Sequence, residues 1–234
     1  MTNEVPLLAA RDLGKAHGRT PALRGASVAL RPGEILAVTG PSGSGKSTLL
    51  HCLAGIVRPD EGSVTYDGER VDQLPEKRLS ELRRTEFGVV FQFGQLIPEL
   101  TAVDNVALPL LLAGQDRAGA RERAGEWLER FGVRGQEELR PGELSGGQVQ
   151  RVALARALVT GPRVVFADEP TGALDSLAGE QVMTALAHTA RESGTAVLLI
   201  THDARVAAYA DREVTLHDGT VTGAGNPAVV EGER

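Results

Sequence analysis

The sequence predicts an α/β fold in which a mainly parallel sheet is covered by helices. From Arg163 onward, apolar segments of strand length alternate with segments that carry apolar residues at helical spacing. Such alternation is typical of parallel strands joined by helices. A second strand–helix unit lies nearer the amino terminus, where a glycine-rich loop separates the apolar residues 34–39 from the helix-forming residues 49–55.

Each predicted element is bounded by glycines or by a change in periodicity. The predicted strands are Leu7–Leu13, Ala22–Leu30, Ile35–Thr39, Ser63–Tyr66, Gly88–Phe91, Val164–Ala167 and Ala196–Ile200. The predicted helices are Leu49–Gly55, Arg117–Phe131, Gly146–Leu158 and Leu177–Arg191. Between about residues 98 and 160 helices replace the alternation, and we expect the residues after Gly223 to be loose, as chain ends often are.

The composition is that of a globular enzyme. Of the 234 residues 41% are hydrophobic and 24% are charged, which is enough apolar material for a packed core. The formal net charge of −6 and the lack of a basic block argue against nucleic acid as the main partner. The single cysteine, Cys52, lies in an apolar helical segment, so we expect a buried thiol in a reducing compartment.

The sequence also argues against direct insertion into a membrane. The most apolar stretch, Val103–Gly114, is interrupted by Asp104, Asn105 and Pro109 and is shorter than the roughly 20 residues that a spanning helix needs. The residues that follow Met1 lack the basic start and apolar core of a signal peptide. We therefore expect a cytosolic chain that reaches a membrane only through a partner.

The glycine-rich loop has the pattern G-x-x-x-x-G-K-[ST], which forms a phosphate-binding loop between a strand and a helix. Its residues are Gly40, Pro41, Ser42, Gly43, Ser44, Gly45, Lys46, Ser47 and Thr48. The glycines let successive backbone N–H groups point inward, and the helix N-terminus adds partial positive charge. Lys46 is predicted to reach the β- and γ-phosphates of a nucleotide, and Ser47 to ligate Mg²⁺. A glycine turn with a chance lysine is the alternative, against which the flanking strand and helix argue.

Two adjacent carboxylates follow the apolar segment Val164–Ala167. A buried parallel strand delivers such residues at its carboxyl end, where ligands bind in open α/β sheets. Asp168 is predicted to bind Mg²⁺ next to the Ser47 hydroxyl, and Glu169 to polarise the water that attacks the γ-phosphate. Adjacent acidic residues are common on surfaces, but the phosphate loop in the same chain favours the functional interpretation.

A second glycine-rich turn opens the predicted helix Gly146–Leu158. Its residues are Leu144, Ser145, Gly146, Gly147 and Gln148. This turn also exposes backbone N–H groups at a helix N-terminus, which attracts phosphate, but it has no lysine. An ordinary helix cap by Ser145 is compatible with that role. Because only the first turn is complete, the pair suggests a nucleotide held between two copies of the chain.

These motifs together resemble the ATP-binding subunit of ABC transporters, over about residues 7–222, and residues 144–148 resemble the signature of that family. The resemblance implies a P-loop NTPase (RecA-like) core with a mainly parallel sheet, an N-terminal antiparallel β-subdomain and an inserted α-helical subdomain. It implies a single ABC ATPase domain at 1–225, with a catalytic core at 1–92 and 160–225, a helical subdomain at about 93–159 and a flexible tail at 226–234.

The resemblance assigns further residues one at a time. Gln92 resembles the glutamine that contacts Mg²⁺ and water. Ala173–Asp175 resembles the loop that meets the partner across the dimer, and His202 resembles the histidine that contacts the γ-phosphate. In the family, the residues that match Ser145–Gln148 close over ATP bound to the opposite subunit. The implied catalytic residues of this chain are Lys46, Gln92, Glu169 and His202.

The same resemblance implies ATP and Mg²⁺ as cofactors and a homodimer that drives an integral membrane permease from the cytoplasmic face of the cell membrane. Residues 91–106 and 171–176 are similar to the bacterial branch that serves macrolide export, lipoprotein release, cell-division signalling and antimicrobial-peptide resistance. In that branch the ATPase pairs with a separate membrane subunit, and the residues after Gln92 form part of the groove that receives it.

Two alternatives stay open at this point. A soluble ABC ATPase could act on nucleic acid or ribosomes, but that class carries long coiled coils or tandem ATPase halves, and this chain has one set of motifs and no sustained heptads. A P-loop kinase outside the family would need an acceptor site and has no use for residues 144–148.

The adenine side departs from the family pattern, which usually stacks an aromatic residue, often tyrosine, near the first strand. Here His17 takes that place, and imidazole offers less stacking area than a phenol ring. We therefore predict weak base selectivity, with GTP turned over nearly as well as ATP. Side-by-side turnover measurements test this, and a preference for ATP above about a hundredfold, equivalent to about 2.7 kcal/mol, contradicts it.

Overall fold

The computed structural model describes residues 5–222, so the predicted tail at 226–234 lies outside the described residues. The strands are β1 (Leu8–His17), β2 (Thr20–Leu30), β3 (Ile35–Thr39), β4 (Glu61–Tyr66), β5 (Glu69–Arg70), β6 (Phe87–Val90), β7 (Val164–Asp168), β8 (Ala196–Ile200), β9 (Arg212–His217) and β10 (Thr220–Thr222). The helices are α1 (Lys46–Leu53), α2 (Glu76–Thr85), α3 (Ala102–Leu112), α4 (Arg117–Arg130), α5 (Gly146–Leu158), α6 (Ser176–Ser193) and α7 (Ala204–Ala207), with a short 3₁₀ turn at Pro141–Glu143.

Two sheets form the frame of the molecule. Strands β2, β1, β4 and β5 pair in that order as an antiparallel sheet. The second sheet has the order β10-β9-β3-β8-β7-β6, and its five strands from β9 to β6 are parallel. The predicted fold class, a mainly parallel core sheet with an N-terminal antiparallel β-subdomain, is confirmed.

The parallel strands are buried on both faces, which explains their uninterrupted apolar sequences. Along β8, Val197 and Leu199 pack towards α3, α4, α5 and α6, whereas Leu198 and Ile200 pack towards α1 and the antiparallel sheet. On that second side, Cys52 of α1 is buried as predicted. Its burial raises the pKa of the thiol to about 11, so the thiol stays protonated at neutral pH.

Helices α3, α4 and α5 pack together on the first side of the sheet. The sequence pattern did not predict α3, because Asp104, Asn105 and Pro109 interrupt its apolar run. Asn105 is fully buried, and its side chain accepts a hydrogen bond from the Ile97 N–H and donates to the carbonyls of Ile97, Leu100 and Thr101. This one amide therefore holds the loop that precedes α3. Within residues 5–222, no helix has the length and apolar character that crossing a bilayer requires.

Candidate functional site

Four chain segments meet at one edge of the parallel sheet, because each follows the carboxyl end of a strand. Loop 40–45 follows β3, Gln92 lies just beyond β6, Glu169 follows β7, and His202 lies just beyond β8. They form a cleft of about 620 Å³. Its lining residues are His17, Ala22, Ser42, Gly43, Gly45, Lys46, Ser47, Thr48, Gln92, Asp168, Glu169, Ile200 and His202. Gly40, Pro41 and Ser44 belong to the same loop without lining this cleft.

The loop presents the start of α1 to the cleft. Gly45 occupies the cap position of α1 with φ of 103°, and a Cβ atom there would lie 2.2 Å from the Ala22 carbonyl oxygen. Only glycine fits both the left-handed backbone and this close approach. Since Gly45 has no side chain, the first N–H groups of α1 stay available to an anionic ligand.

Lys46, the first residue of α1, places a positive charge inside this loop. The residue is 8% exposed, and its ammonium group donates to the carbonyls of Gly40 at 2.9 Å and Pro41 at 2.8 Å. A buried ammonium group requires such partners. The cleft thus combines a fixed cation with helix N–H groups, an arrangement suited to phosphate.

The residues opposite the loop fit a divalent cation. Asp168 ends β7, and its Oδ1 atom is buried without a hydrogen-bond partner. A buried carboxylate oxygen without a partner is costly unless it meets a cation. The Ser47 hydroxyl and the Gln92 amide line the same cleft. Carboxylate, hydroxyl and amide oxygens are ligands that Mg²⁺ accepts.

Glu169 and His202 form a hydrogen-bonded pair, with 2.6 Å between Glu169 Oε1 and His202 Nδ1. The Glu169 side chain is 14% exposed and the His202 side chain 68%. Glu169 has φ of 46°, which is uncommon for a residue with a side chain, and its N–H donates to the Ile200 carbonyl at 3.0 Å. Its backbone is therefore held against β8, and the pair can accept a proton from water and orient a group beside it.

The predicted adenine contact, His17, lies in the same cleft. Its Nε2 atom is 3.3 Å from the Thr48 hydroxyl, and the ring is exposed at the end of β1. The structure thus brings His17 together with the phosphate loop, although 31 sequence positions separate it from Thr48.

The second glycine-rich turn lies in a different cleft, of about 340 Å³. Its lining residues are Ser145, Gly146, Gly147, Gln148, Arg151, Ala173, Leu174, Asp175 and Ala178, and none of them lines the first cleft. Ser145 and Gln148 form a capping box at the start of α5, and Asp175 caps α6 by accepting from the Ala178 N–H at 2.9 Å. The structure therefore brings the signature residues next to Asp175 and keeps both apart from Lys46.

Two residues that shape the first cleft were not predicted. The Ala22 carbonyl lies so close to Gly45 that it leaves no room for a side chain there, and the Ile200 carbonyl accepts a hydrogen bond from the Glu169 N–H. Both residues act through backbone atoms, so their side chains carry no signal in the sequence.

Comparisons with known proteins show which family the chain resembles. Residues 23–172 match the ABC transporter family. The lipoprotein-releasing system ATP-binding protein LolD of Bordetella pertussis is 48% identical over 218 residues, which cover 92% of this chain and 94% of that protein. The probable syringafactin export ATP-binding/permease protein SyfD of Pseudomonas syringae pv. syringae is 46% identical over 200 residues, 86% of this chain and 30% of that protein.

A solved structure is similar over nearly the whole chain. It is the dimeric structure of a post-hydrolysis state of the ATP-binding cassette MJ0796 bound to ADP and Pi. It has a TM-score of 0.86 and 38% sequence identity, and the match covers 92% of this chain and 97% of that one.

Glu169→Gln tests the role of the carboxylate, because it keeps the size of the side chain and removes its charge. We expect turnover of ATP to fall at least about a hundredfold, the scale of general-base catalysis. Binding of ATP should persist, since residues 40–48 are unchanged. Phosphate release and equilibrium nucleotide binding measure the two effects. Glu122→Gln, at an exposed position of α4, is the control and should turn over ATP like the wild type. Turnover of Glu169→Gln within tenfold of wild type would exclude this role.

Proposed function

The chain belongs to the ABC transporter family as an ATP-binding and ATP-hydrolysing subunit, and we propose that two copies close head to tail around two Mg·ATP and drive a separate membrane permease. One observation carries the dimer. The phosphate loop and the signature residues of one chain line separate clefts. Each cleft holds half of the elements that a γ-phosphate needs, so a partner copy must supply the rest. The dimeric state of the MJ0796 cassette supports the formation of a dimer.

We assign the residues of one nucleotide site as follows. Lys46 and the N–H groups of residues 43–48 hold the phosphates, and His17 lies beside the adenine. Ser47, Asp168 and Gln92 would hold Mg²⁺, which would neutralise charge on the phosphates. Glu169 accepts a proton from the attacking water, while His202 orients Glu169 and contacts the γ-phosphate.

The partner copy closes the site. The N-terminus of its α5, at Ser145–Gly147, faces the γ-phosphate with partial positive charge, and its Asp175 lies beside this contact. Hydrolysis removes the group that both copies hold, so the dimer reopens. Binding and loss of the γ-phosphate thus produce a movement between the two copies, which the permease can use.

A permease as partner is supported by the surface after Gln92 and by the relatives. Phe93 is 67% exposed and Ile97 is also exposed, which leaves apolar area for a partner beside the helices α3–α5. We place the inserted helical subdomain at about 93–159, where these helices lie. The name of SyfD joins an ATP-binding part with a permease, and this chain matches 30% of it.

The identity to LolD favours lipoprotein release over macrolide export or peptide resistance as the task of this transporter. In this proposal the chain works at the cytoplasmic face of the cell membrane, where the permease holds it.

The dimer is tested by gel filtration of Glu169→Gln, which traps ATP in the closed state. We expect a monomer without nucleotide and a dimer with Mg·ATP. The matched control is the double variant Glu169→Gln/Ser145→Arg, which keeps the phosphate loop intact but blocks the signature turn. It should bind ATP and remain monomeric. A Glu169→Gln protein that stays monomeric with ATP, or a double variant that still dimerises, contradicts the proposal.

The permease is tested by coexpression and copurification in detergent with candidate membrane permeases. We expect the wild-type chain to copurify and Phe93→Asp to be lost, because docking would bury an unpaired carboxylate. Val5→Asp, at another apolar position that is more than half exposed, is the control and should copurify. Equal recovery of all three chains would remove the surface at Phe93 from the interface.

A further inference from the structure

Helix α5 lies against the segment that carries Gln92. Val149, Ala153 and Arg156 share one face of the helix, at spacings of four and three residues. Val149 and Ala153 flank Gly94, where a Cβ atom would lie 3.0 Å from Val149 Cγ1 and 3.4 Å from Ala153 Cβ. Arg156 donates from Nη2 to the Gly94 carbonyl at 2.8 Å and from Nη1 to the Gln95 carbonyl at 2.9 Å.

The turn at Gly94 and Gln95 has a backbone that needs such support. Both residues have a left-handed backbone conformation, with φ of 69° and 45°. This conformation is unfavourable for Gln95 because it has a Cβ atom. A planar guanidinium group can reach two neighbouring carbonyls at once, and its charge strengthens both bonds. Burial lowers the pKa of Arg156, but a guanidinium group stays protonated in proteins.

The same helix also holds the chain on the other side of Gln92. Gly88 of β6 lies so close to α5 that a Cβ atom would be 2.2 Å from the Ala157 carbonyl oxygen. Gln150, which is 3% exposed, donates to the Phe91 carbonyl at 3.4 Å. Gln92 therefore lies between a strand and a turn that are both fixed to α5.

We propose that Arg156 is a positioning residue for Gln92, and that α5 sets the place of Gln92 in one nucleotide site while its own N-terminus, at Ser145, serves the other site. This inference rests on the proposed roles of Gln92 and Ser145. The helix acts as one piece between the two sites, because Gln150 bonds to Phe91 and Arg156 bonds to Gly94 and Gln95, so both ends of the segment 91–95 are attached to it.

The test is a double-mutant cycle on the full chain, with ATP turnover, KM for ATP and thermal stability measured for each variant. We expect Arg156→Met to lower kcat about tenfold with KM changed less than twofold, because the phosphate loop is untouched. Arg156→Lys should recover part of kcat, since an ammonium group can still donate to one of the two carbonyls. In a Gln92→Ala background, Arg156→Met should change kcat less than twofold, since its effect passes through Gln92.

The matched control is Arg123→Met, which removes another arginine bond to a backbone carbonyl of the same region, from Arg123 Nε to Val159 at 3.1 Å. Its kcat should stay within twofold of wild type. The inference would be overturned if Arg156→Met leaves kcat unchanged. It would also be overturned if the losses of kcat in Arg156→Met and Gln92→Ala multiply in the double variant, as independent effects do. If Arg156→Met does not fold, Arg156→Lys replaces it in the cycle, and an unchanged kcat of Arg156→Lys, or effects of Arg156→Lys and Gln92→Ala on kcat that multiply, would overturn the inference. Dimerisation of Glu169→Gln by ATP is a separate measurement, so the proposed function can hold while this inference fails.

Discussion

The parallel pairing of β6, β7, β8 and β3 is the constraint on which the site depends. Parallel strands end at the same edge of the sheet, and here each end delivers one segment of the candidate site: Gln92, Glu169, His202 and the glycine-rich loop. A slip of one residue in any strand would turn its apolar side chains from one core to the other. The two cores packed on the sheet therefore also fix the depth at which these segments enter the cleft.

Much of the first cleft could be predicted because the phosphate loop, Gln92, Glu169 and His202 each come soon after an apolar strand in the sequence. The bond between Glu169 and His202 could not, because it joins residues 33 positions apart across two strand ends. Helix α3 was missed for a related reason. In the sequence Asn105 looks like a polar interruption, whereas in the fold it is fully buried and bonded to the loop 97–101. The spacing of apolar residues shows which face of a helix is buried. It does not show that a polar side chain is buried because it hydrogen-bonds to the backbone of another segment.

The capping of α5 and the phosphate contact proposed for its N-terminus would use different N–H donors, so the two roles do not compete. The capping box occupies the N–H groups of Ser145 and Gln148, whose partners are each other's side chains. The N–H groups of Gly146 and Gly147 lie between them at the positive end of the helix. In the proposed dimer, the cap by Ser145 would hold the turn in place before a ligand arrives, which would lower the entropy cost of closure.

The separation of the two clefts has a consequence for how the proposed assembly depends on protein abundance. Closure of two free chains is a bimolecular event, and its extent varies with their concentration. Two chains attached to one membrane protein instead meet at an effective concentration set by the length and stiffness of the attachment, which reaches millimolar values for short tethers. A transporter of this design would keep the same ATP response whether the cell contains few copies or many.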